Sequence, residues 1–200
     1  MPDDRPCCTW HDEDQSGGIA ASAIGDLGQG MATQLAKHSA KLRPAVHADL
    51  TVLGNFGALL LELHHELDAK RFIEPTTNTP ARYAGFLKSQ LSRTDTILLV
   101  AEDNGAVLGY VYAAHEGYDY MALRGPAGVV HDLFVDPARR RQGVGRLLLE
   151  AAIERLRAMG SDRFVLSTAY LNEAARNLFT TMGFRPTMVE MTREATADGK

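Results

Sequence analysis

The sequence predicts a mixed α/β domain in which one central sheet contains a parallel strand–helix–strand unit. A hairpin signal, Asp103-Asn104-Gly105, joins two apolar strands. Another apolar strand ends at Val135 and leads through a glycine-containing turn into an amphipathic helix, which is followed by a strand at 164–168. Because a helical crossover joins parallel strands, this unit must lie beside the antiparallel hairpin in one mixed sheet.

The other elements follow from local signals. Asp49 can cap a first helix, and Leu53, Phe56 and Leu60 recur along it at helical spacing. Gly160 and Gly183 end two later helices. The predicted order is a strand at 42–45, helices from Asp49 and at 80–92, strands at 96–101, 107–114 and 129–135, a helix to Met159, a strand at 164–168, a helix capped by Asn172, and a last strand at 186–192.

Two regions of different composition divide the chain. Residues 1–39 contain glycines that interrupt every possible helix or strand, so we expect a flexible glycine-rich tail. Residues 40–200 carry the periodic apolar pattern and are expected to form one domain.

Composition argues against several classes of function. The formal net charge is -4, whereas nucleic-acid binding usually requires a strongly basic face. We see no apolar run long enough to span a bilayer and no apolar core in the acidic N-terminus, so we expect a cytoplasmic protein that binds neither nucleic acid nor membrane. No metal site is expected. Both cysteines, Cys7 and Cys8, lie in the tail, which leaves no thiol in 40–200 to carry a covalent acyl group.

The turn after Val135 carries the strongest chemical signal. Three consecutive arginines, 139–141, precede Gly143 and Gly145 at the start of a helix. Free backbone N–H groups at a helix N-terminus bind anions, and glycine lets a phosphate approach closely. A P-loop would need Gly-Lys-Ser/Thr, and a dinucleotide-binding fingerprint would need glycine where Leu148 stands. From the residues alone, a phosphate site and a solvated arginine loop both stay open.

This turn resembles the central motif of the GNAT superfamily of acetyl-CoA-dependent N-acetyltransferases, V-x-P-x-x-R-x-x-G-x-G. Val135, Pro137, Arg140, Gly143 and Gly145 stand at that spacing. The segments 42–50 and 172–184 are similar to the family's first strand and helix start and to its later helix motif. The resemblance implies a mostly antiparallel central sheet with one splayed parallel strand pair and flanking helices.

The resemblance also implies the cofactor-binding residues. Backbone N–H groups from Arg140 to Arg146 would hold the CoA pyrophosphate, the strand ending at Val135 would pair with the pantetheine arm, and Asn172 would contact CoA. The implied set is Leu133, Phe134, Val135, Arg140, Arg141, Gln142, Gly143, Val144, Gly145, Arg146 and Asn172.

The activity implied is transfer of the acetyl group of acetyl-CoA directly to a primary amine in a ternary complex. The amine could belong to a small molecule, a lysine side chain or a protein N-terminus. A non-catalytic CoA-binding sensor and an acyltransferase with a longer acyl chain remain alternatives, and a homodimer is compatible with the family. The loop at 115–120 is acidic and aromatic, and it is either a cation-binding loop or an ordinary connection.

His131 is the candidate general base, because some members of the family carry Glu or His at this place on the strand beside the thioester. Imidazole titrates near neutrality, which suits removal of a proton from an amine. Asp132 is expected to point to the opposite face of the sheet. His115 and Glu116 are weaker candidates, and His64 is expected on the solvent face of the first helix, as is His65.

The general acid is the second group that the implied reaction requires. Phe179 stands where many members of the family have a tyrosine that acts as the general acid, and phenylalanine cannot donate a proton. Tyr170, at the end of the preceding strand, is the substitute candidate, with Ser167 and Thr168 as alternatives. Alternatively the thiolate leaves unaided, since a thiol pKa near 8.5 makes it a tolerable leaving group.

Overall fold

Residues 40–195, the part of the chain that the computed structural model describes, form a five-stranded sheet with helices on both faces. The expected tail at 1–39 lies outside the described residues. The strands are β1 (Lys41–Pro44), β2 (Thr96–Asp103), β3 (Ala106–Glu116), β4 (Ala127–Val135) and β5 (Phe164–Leu166). The helices are α1 (Leu50–Leu67), α2 (Thr79–Gln90), α3 (Val144–Ala158) and α4 (Glu173–Thr181), with short 3-10 turns at His47–Asp49 and Pro137–Arg139.

The strands lie in chain order, β1-β2-β3-β4-β5. The first three pairs are antiparallel, and β4 pairs with β5 in parallel. That parallel pairing joins only Gly128–Val130 to Phe164–Leu166, so the second half of β4 has no neighbour on this side among the described residues. The predicted fold class, a mostly antiparallel sheet with one splayed parallel pair, is confirmed.

Each face of the sheet has its own apolar core. On one face α3 buries Leu148, Leu149 and Leu156 against the sheet. On the other face α1 and α2 cover Tyr110 with Leu53 and Leu87, all fully buried. No described helix combines the length and the apolar character needed to cross a membrane.

The predicted last strand at 186–192 is wrong. The segment has no regular secondary structure, and its side chains are exposed. Its apolar residues favour a strand, but a strand also needs a neighbouring edge with which its backbone can pair. Among residues 40–195 no backbone hydrogen bond reaches this segment.

A bulge interrupts β4 where it runs beside β3. Tyr112 faces Asp132, whereas the next residue, Ala113, faces Val130, so His131 is the extra residue in β4. A bulge of this kind redirects side chains and breaks the regular alternation of the strand. It therefore determines which residues share a face at the centre of the sheet.

Close packing of α1 on α2 depends on glycine in α1, which gives a first prediction. A Cβ on Gly57 would overlap the ring of Tyr83, whereas a Cβ on the exposed Gly85 of α2 would meet nothing within 4 Å. We expect Gly57→Ala to lower the free energy of unfolding by about 1–3 kcal/mol through overpacking. Gly85→Ala should raise it by roughly 0.5–1 kcal/mol, because alanine is the better helix former. Urea unfolding of both variants checks the opposite signs, and equal stability of Gly57→Ala and the parent would contradict the packing argument.

Candidate functional site

The turn between β4 and α3 presents a row of unused backbone donors. Asp136 holds its start by accepting a hydrogen bond from the Ala138 N–H at 2.9 Å. Arg141 and Gly143 adopt left-handed conformations, with φ of 61° and 83°. Within 40–195, the backbone N–H groups of residues 141–146 donate to no protein acceptor. Such a row at a helix N-terminus attracts an anion.

Arginine side chains add positive charge to this turn. Arg140 and Arg141 are exposed, and the Arg140 Nε lies 3.3 Å from the Val135 carbonyl oxygen. The Arg140 guanidinium also lies 5.8 Å from the centre of the Phe134 ring. Free N–H groups, a helix dipole and exposed guanidinium groups together make a donor set that fits a diphosphate.

The open edge of β4 begins where β5 stops. Leu133, Phe134 and Val135 lie beyond Val130, the last residue of β4 that pairs with β5. An extended ligand can add to such an edge as an extra strand. Asn172 caps α4 by accepting a hydrogen bond from the Ala175 N–H at 3.1 Å. The residues expected to bind CoA thus belong to the open edge of β4, the turn that follows it and the N-terminus of α4.

On the face covered by α1 and α2, the bulge of β4 opens into a cavity of about 270 Å³. His131 and Asp132 both line it, so the expectation that Asp132 points to the opposite face is wrong. The cause is the extra residue, which places two consecutive side chains on one side of the strand. The full lining is Leu60, Leu61, His64, Phe72, Ile73, Tyr83, His131 and Asp132.

Two tyrosines hold the Asp132 carboxylate. The hydroxyls of Tyr83 and Tyr110 donate to the same oxygen, Oδ2, at 2.5 and 3.2 Å. The other oxygen, Oδ1, accepts no hydrogen bond from the described residues. Burial raises the pKa of Asp132, and the two hydroxyls offset part of that rise. Burial also raises the pKa of Tyr83 and that of Tyr110, with the negative charge of Asp132 adding to it, so both phenols stay protonated donors.

A carboxylate and an aromatic ring fix the orientation of His131. The Nε2 atom lies 2.8 Å from Glu116 Oε1, and the ring stacks on Tyr112 with centroids 5.0 Å apart. Glu116 is held in turn by Arg124, whose guanidinium donates to Oε2 at 2.6 Å. Since a carboxylate only accepts, Nε2 carries the hydrogen, and neutral His131 keeps its lone pair on Nδ1. Glu116, a weak candidate base from the sequence, thus links His131 to Arg124.

His64 also belongs to the cavity, contrary to its expected place on the solvent face. Its Nδ1 donates to the Leu60 carbonyl at 2.8 Å, which leaves Nε2 as an acceptor in the neutral ring. His65 donates through Nδ1 to the Phe72 carbonyl at 2.9 Å and so holds the loop between α1 and α2. The signal for His64 was in the sequence, because it follows Leu60 by four residues on the apolar stripe of α1.

The remaining candidates lie apart from this cavity lining. His115 Nδ1 lies 2.7 Å from the Ser161 hydroxyl. Tyr170 is 79% exposed and carries the Arg176 guanidinium 5.0 Å from its ring centre. Phe179 packs on Phe184 with ring centroids 6.2 Å apart.

Comparison with known proteins decides the family. Residues 61–184 match the family described as acetyltransferase (GNAT). The chain belongs to the GNAT acetyltransferase family. The GNAT motif at 135–145 thus coincides with the donor-rich turn, and the GNAT fold accounts for the splay between β4 and β5.

Curated GNAT relatives share about half of this chain. An uncharacterised N-acetyltransferase, YhfO, from Bacillus subtilis is 31% identical over 50% of this chain and 65% of its own length. An aminoglycoside N(6')-acetyltransferase from Klebsiella aerogenes is 29% identical over 50% of this chain and 66% of its own. An L-methionine sulfoximine/L-methionine sulfone acetyltransferase from Salmonella typhimurium is 31% identical over 56% and 63%. The chain therefore spans less than two-thirds of the length of these relatives.

Solved structures agree on the fold. A predicted acetyltransferase from Clostridium acetobutylicum, solved with acetyl-CoA, aligns with a TM-score of 0.61 over 76% of this chain and 96% of its own, at 16% identity. A mutant protein from Bacillus halodurans gives a TM-score of 0.66 over 78% and 99%, at 22% identity. At these identities the likeness extends to the fold alone.

Proposed function

We propose that this protein transfers the acetyl group of acetyl-CoA directly to a primary amine while both are bound. The observation that carries the proposal is the row of free N–H groups at 141–146, which lies next to the open edge of β4 on the strand that also bears His131. The three relatives named above are acetyltransferases, and the two whose names give an acceptor differ in it, which supports the donor more strongly than any acceptor.

The cofactor would be held mostly by backbone atoms. The N–H groups of 141–146 and the charge of Arg140 and Arg141 would bind the pyrophosphate, and the edge at Leu133–Val135 would bind the pantetheine arm. Asn172 would contact CoA from α4. Because the residues from 40 onward contain no cysteine, no thiol there can take the acetyl group, which favours direct transfer.

His131 would act as the general base in this reaction. An amine with a pKa of about 10.4 is mostly protonated at pH 7, so it must lose a proton before it can attack. That proton goes to Nδ1 of His131, and Glu116 stabilises the resulting imidazolium through Nε2. The neutral amine nitrogen of the acceptor then forms a bond to the thioester carbonyl carbon. The C–S bond breaks, and its electron pair leaves on sulfur as the CoA thiolate. A second proton on nitrogen is lost to solvent or to the thiolate.

Departure of the thiolate has two routes in this proposal. Tyr170 is the candidate acid, and its exposed hydroxyl is free to meet a bound ligand. Alternatively, the thiolate leaves without a protein acid, because a thiol pKa near 8.5 lets it carry its charge briefly in solvent.

Thermal stability with added ligands tests the donor. We expect acetyl-CoA to raise the Tm, since saturation at 100 times Kd stabilises the folded state by about 2.7 kcal/mol. ATP and NAD should shift the Tm far less, and an equal shift by ATP would contradict a CoA site.

Release of free CoA with a panel of primary amines tests turnover. Catalytic transfer predicts CoA release that depends on the amine, together with an acetylated product of the expected mass. Stabilisation by acetyl-CoA without any release would instead support a CoA-binding sensor.

A further inference from the structure

The cavity beside the bulge has an apolar wall and a small volume. Leu60 and Leu61 of α1 form one side, and Phe72 and Ile73 of the loop between α1 and α2 form the other. Ile73 is 74% exposed although it borders the cavity, so an apolar guest there would cover a large apolar side chain. The volume of about 270 Å³ lies just below the roughly 300–1,000 Å³ of pockets that hold drug-sized ligands, so it suits a small guest such as one ring with a short alkyl chain.

Asp132 is the only carboxylate among the lining residues, and it is already oriented. Tyr83 from α2 and Tyr110 from β3 hold Oδ2, which leaves Oδ1 without a partner in the described part of the chain. The two imidazoles of the lining belong to His64 of α1 and His131 of β4. None of the lining residues is a lysine or an arginine, so the cavity has no fixed positive charge.

Building on the proposed function, we propose that this cavity is the acceptor pocket and that it takes a small primary amine with an apolar body and a single charge. The ammonium group pairs with Asp132, and the aryl or alkyl body lies against Leu60, Leu61, Phe72 and Ile73. His131 directly precedes Asp132 in the chain and borders the same cavity, so a nitrogen bound to Asp132 lies near the base.

The same features disfavour other amines. An α-amino acid would bring its carboxylate towards Asp132 with no lysine or arginine in the lining to receive it. An aminoglycoside carries many hydroxyl and ammonium groups, and four of the eight lining side chains are apolar and cannot satisfy them. This pocket therefore favours amines that carry a single positive charge and an apolar body.

Three ligands with one common body test this inference directly. 2-Phenylethylamine has the ring and the ammonium group, 2-phenylethanol lacks the charge, and phenylalanine adds one carboxylate. Binding is measured by calorimetry on the full-length protein, both alone and with desulfo-CoA. We expect 2-phenylethylamine to bind best in both settings.

Two variants and one control locate the ligand. Asp132→Asn keeps an acceptor for both tyrosines and should weaken 2-phenylethylamine about 10- to 100-fold, with 2-phenylethanol unchanged. Ile73→Ser, at an exposed position, should weaken both ligands about 3- to 10-fold. Asp162→Asn removes the same charge from an exposed turn outside the lining and should leave binding unaltered.

The Tm of Asp132→Asn shows whether the variant is folded. Burial raises the pKa of Asp132, so ionisation costs the folded protein stability as the pH rises above the ordinary range for aspartate. The titratable groups that face Asp132, and that the variant keeps, are Tyr83, Tyr110, His64 and His131. The variant should melt above the parent at pH 8, and this difference should shrink towards pH 4.

The outcomes separate the acceptor pocket from the proposed reaction. Unchanged affinity of Asp132→Asn for 2-phenylethylamine would overturn the pairing, and tighter binding of phenylalanine than of 2-phenylethylamine would overturn the substrate class. Asp132-dependent binding of the amine in a protein that ignores acetyl-CoA would support the pocket while refuting acetyl transfer. CoA release with amines whose binding does not change in the Asp132 and Ile73 variants would support acetyl transfer while refuting this acceptor pocket.

Discussion

Gly143→Asp is expected to abolish the stabilisation of the protein by acetyl-CoA. Gly143 is the N-cap of α3, and its N–H belongs to the row of free donors at 141–146. A carboxylate there would repel the pyrophosphate and could itself accept hydrogen bonds from these donors. The Tm rise with saturating acetyl-CoA should vanish, and the Kd by calorimetry should increase at least 100-fold, which is about 2.7 kcal/mol.

The same substitution elsewhere separates charge at the turn from backbone strain. Gly143 has φ of 83° and Gly160 has φ of 96°, and a Cβ at either position meets nothing within 4 Å. Gly160→Asp therefore carries the same strain and the same charge at the other end of α3. Without ligand, we expect Gly160→Asp to lose at least as much stability as Gly143→Asp, because its charge lies at the negative end of the helix dipole. Only Gly143→Asp should lose the response to acetyl-CoA. Loss of the response in both would mean that strain, and not the pyrophosphate, explains the result.

How far the sequence predicts this protein differs between the fold and the site. The hairpin at 103–105 and the glycine after β4 depend on local backbone conformation, which the sequence encodes within a few residues. The strand expected at 186–192 failed because pairing depends on a distant edge that composition does not reveal.

The cavity beside the bulge was harder to predict because it depends on one inserted residue. Strict alternation places Asp132 opposite His131, and the bulge in β4 brings both to one cavity. A bulge arises from register with β3, so β4 alone carries no sign of it. Tyr83 reaches Asp132 from α2, 49 positions away in sequence, which no local pattern could indicate.

Substitution of His131 is expected to lower turnover by roughly 10²–10⁴-fold, with the affinity for acetyl-CoA unchanged. His131 borders the proposed acceptor cavity, and Nδ1 is its free nitrogen among the described residues, since Nε2 donates to Glu116. His131→Ala removes the ring, and His131→Gln retains a hydrogen-bonding group without basicity. Both variants should be assayed by CoA release and by acetyl-CoA binding.

His115→Gln is the matched control, because His115 pairs with Ser161 and does not line the cavity. It should keep the parent rate and tests a rival base at the same time. Glu116→Gln should lower the rate less than loss of His131, since it leaves the base in place and removes only its orienting charge.

The pH–rate profile distinguishes a base from a structural histidine. If His131 takes the proton, the acidic limb of kcat/KM should disappear or move in His131→Gln, because imidazole is the group that usually titrates between pH 5 and 8. Retention of the parent rate and of the same limb in His131→Gln would assign proton removal elsewhere, with the Asp132 carboxylate in the same cavity as the next candidate.

Phe179→Tyr separates amine deprotonation from departure of the thiolate. A higher rate on restoring a hydroxyl would mean that thiolate departure is slow, and an unchanged rate would leave amine deprotonation or product release as the slow step.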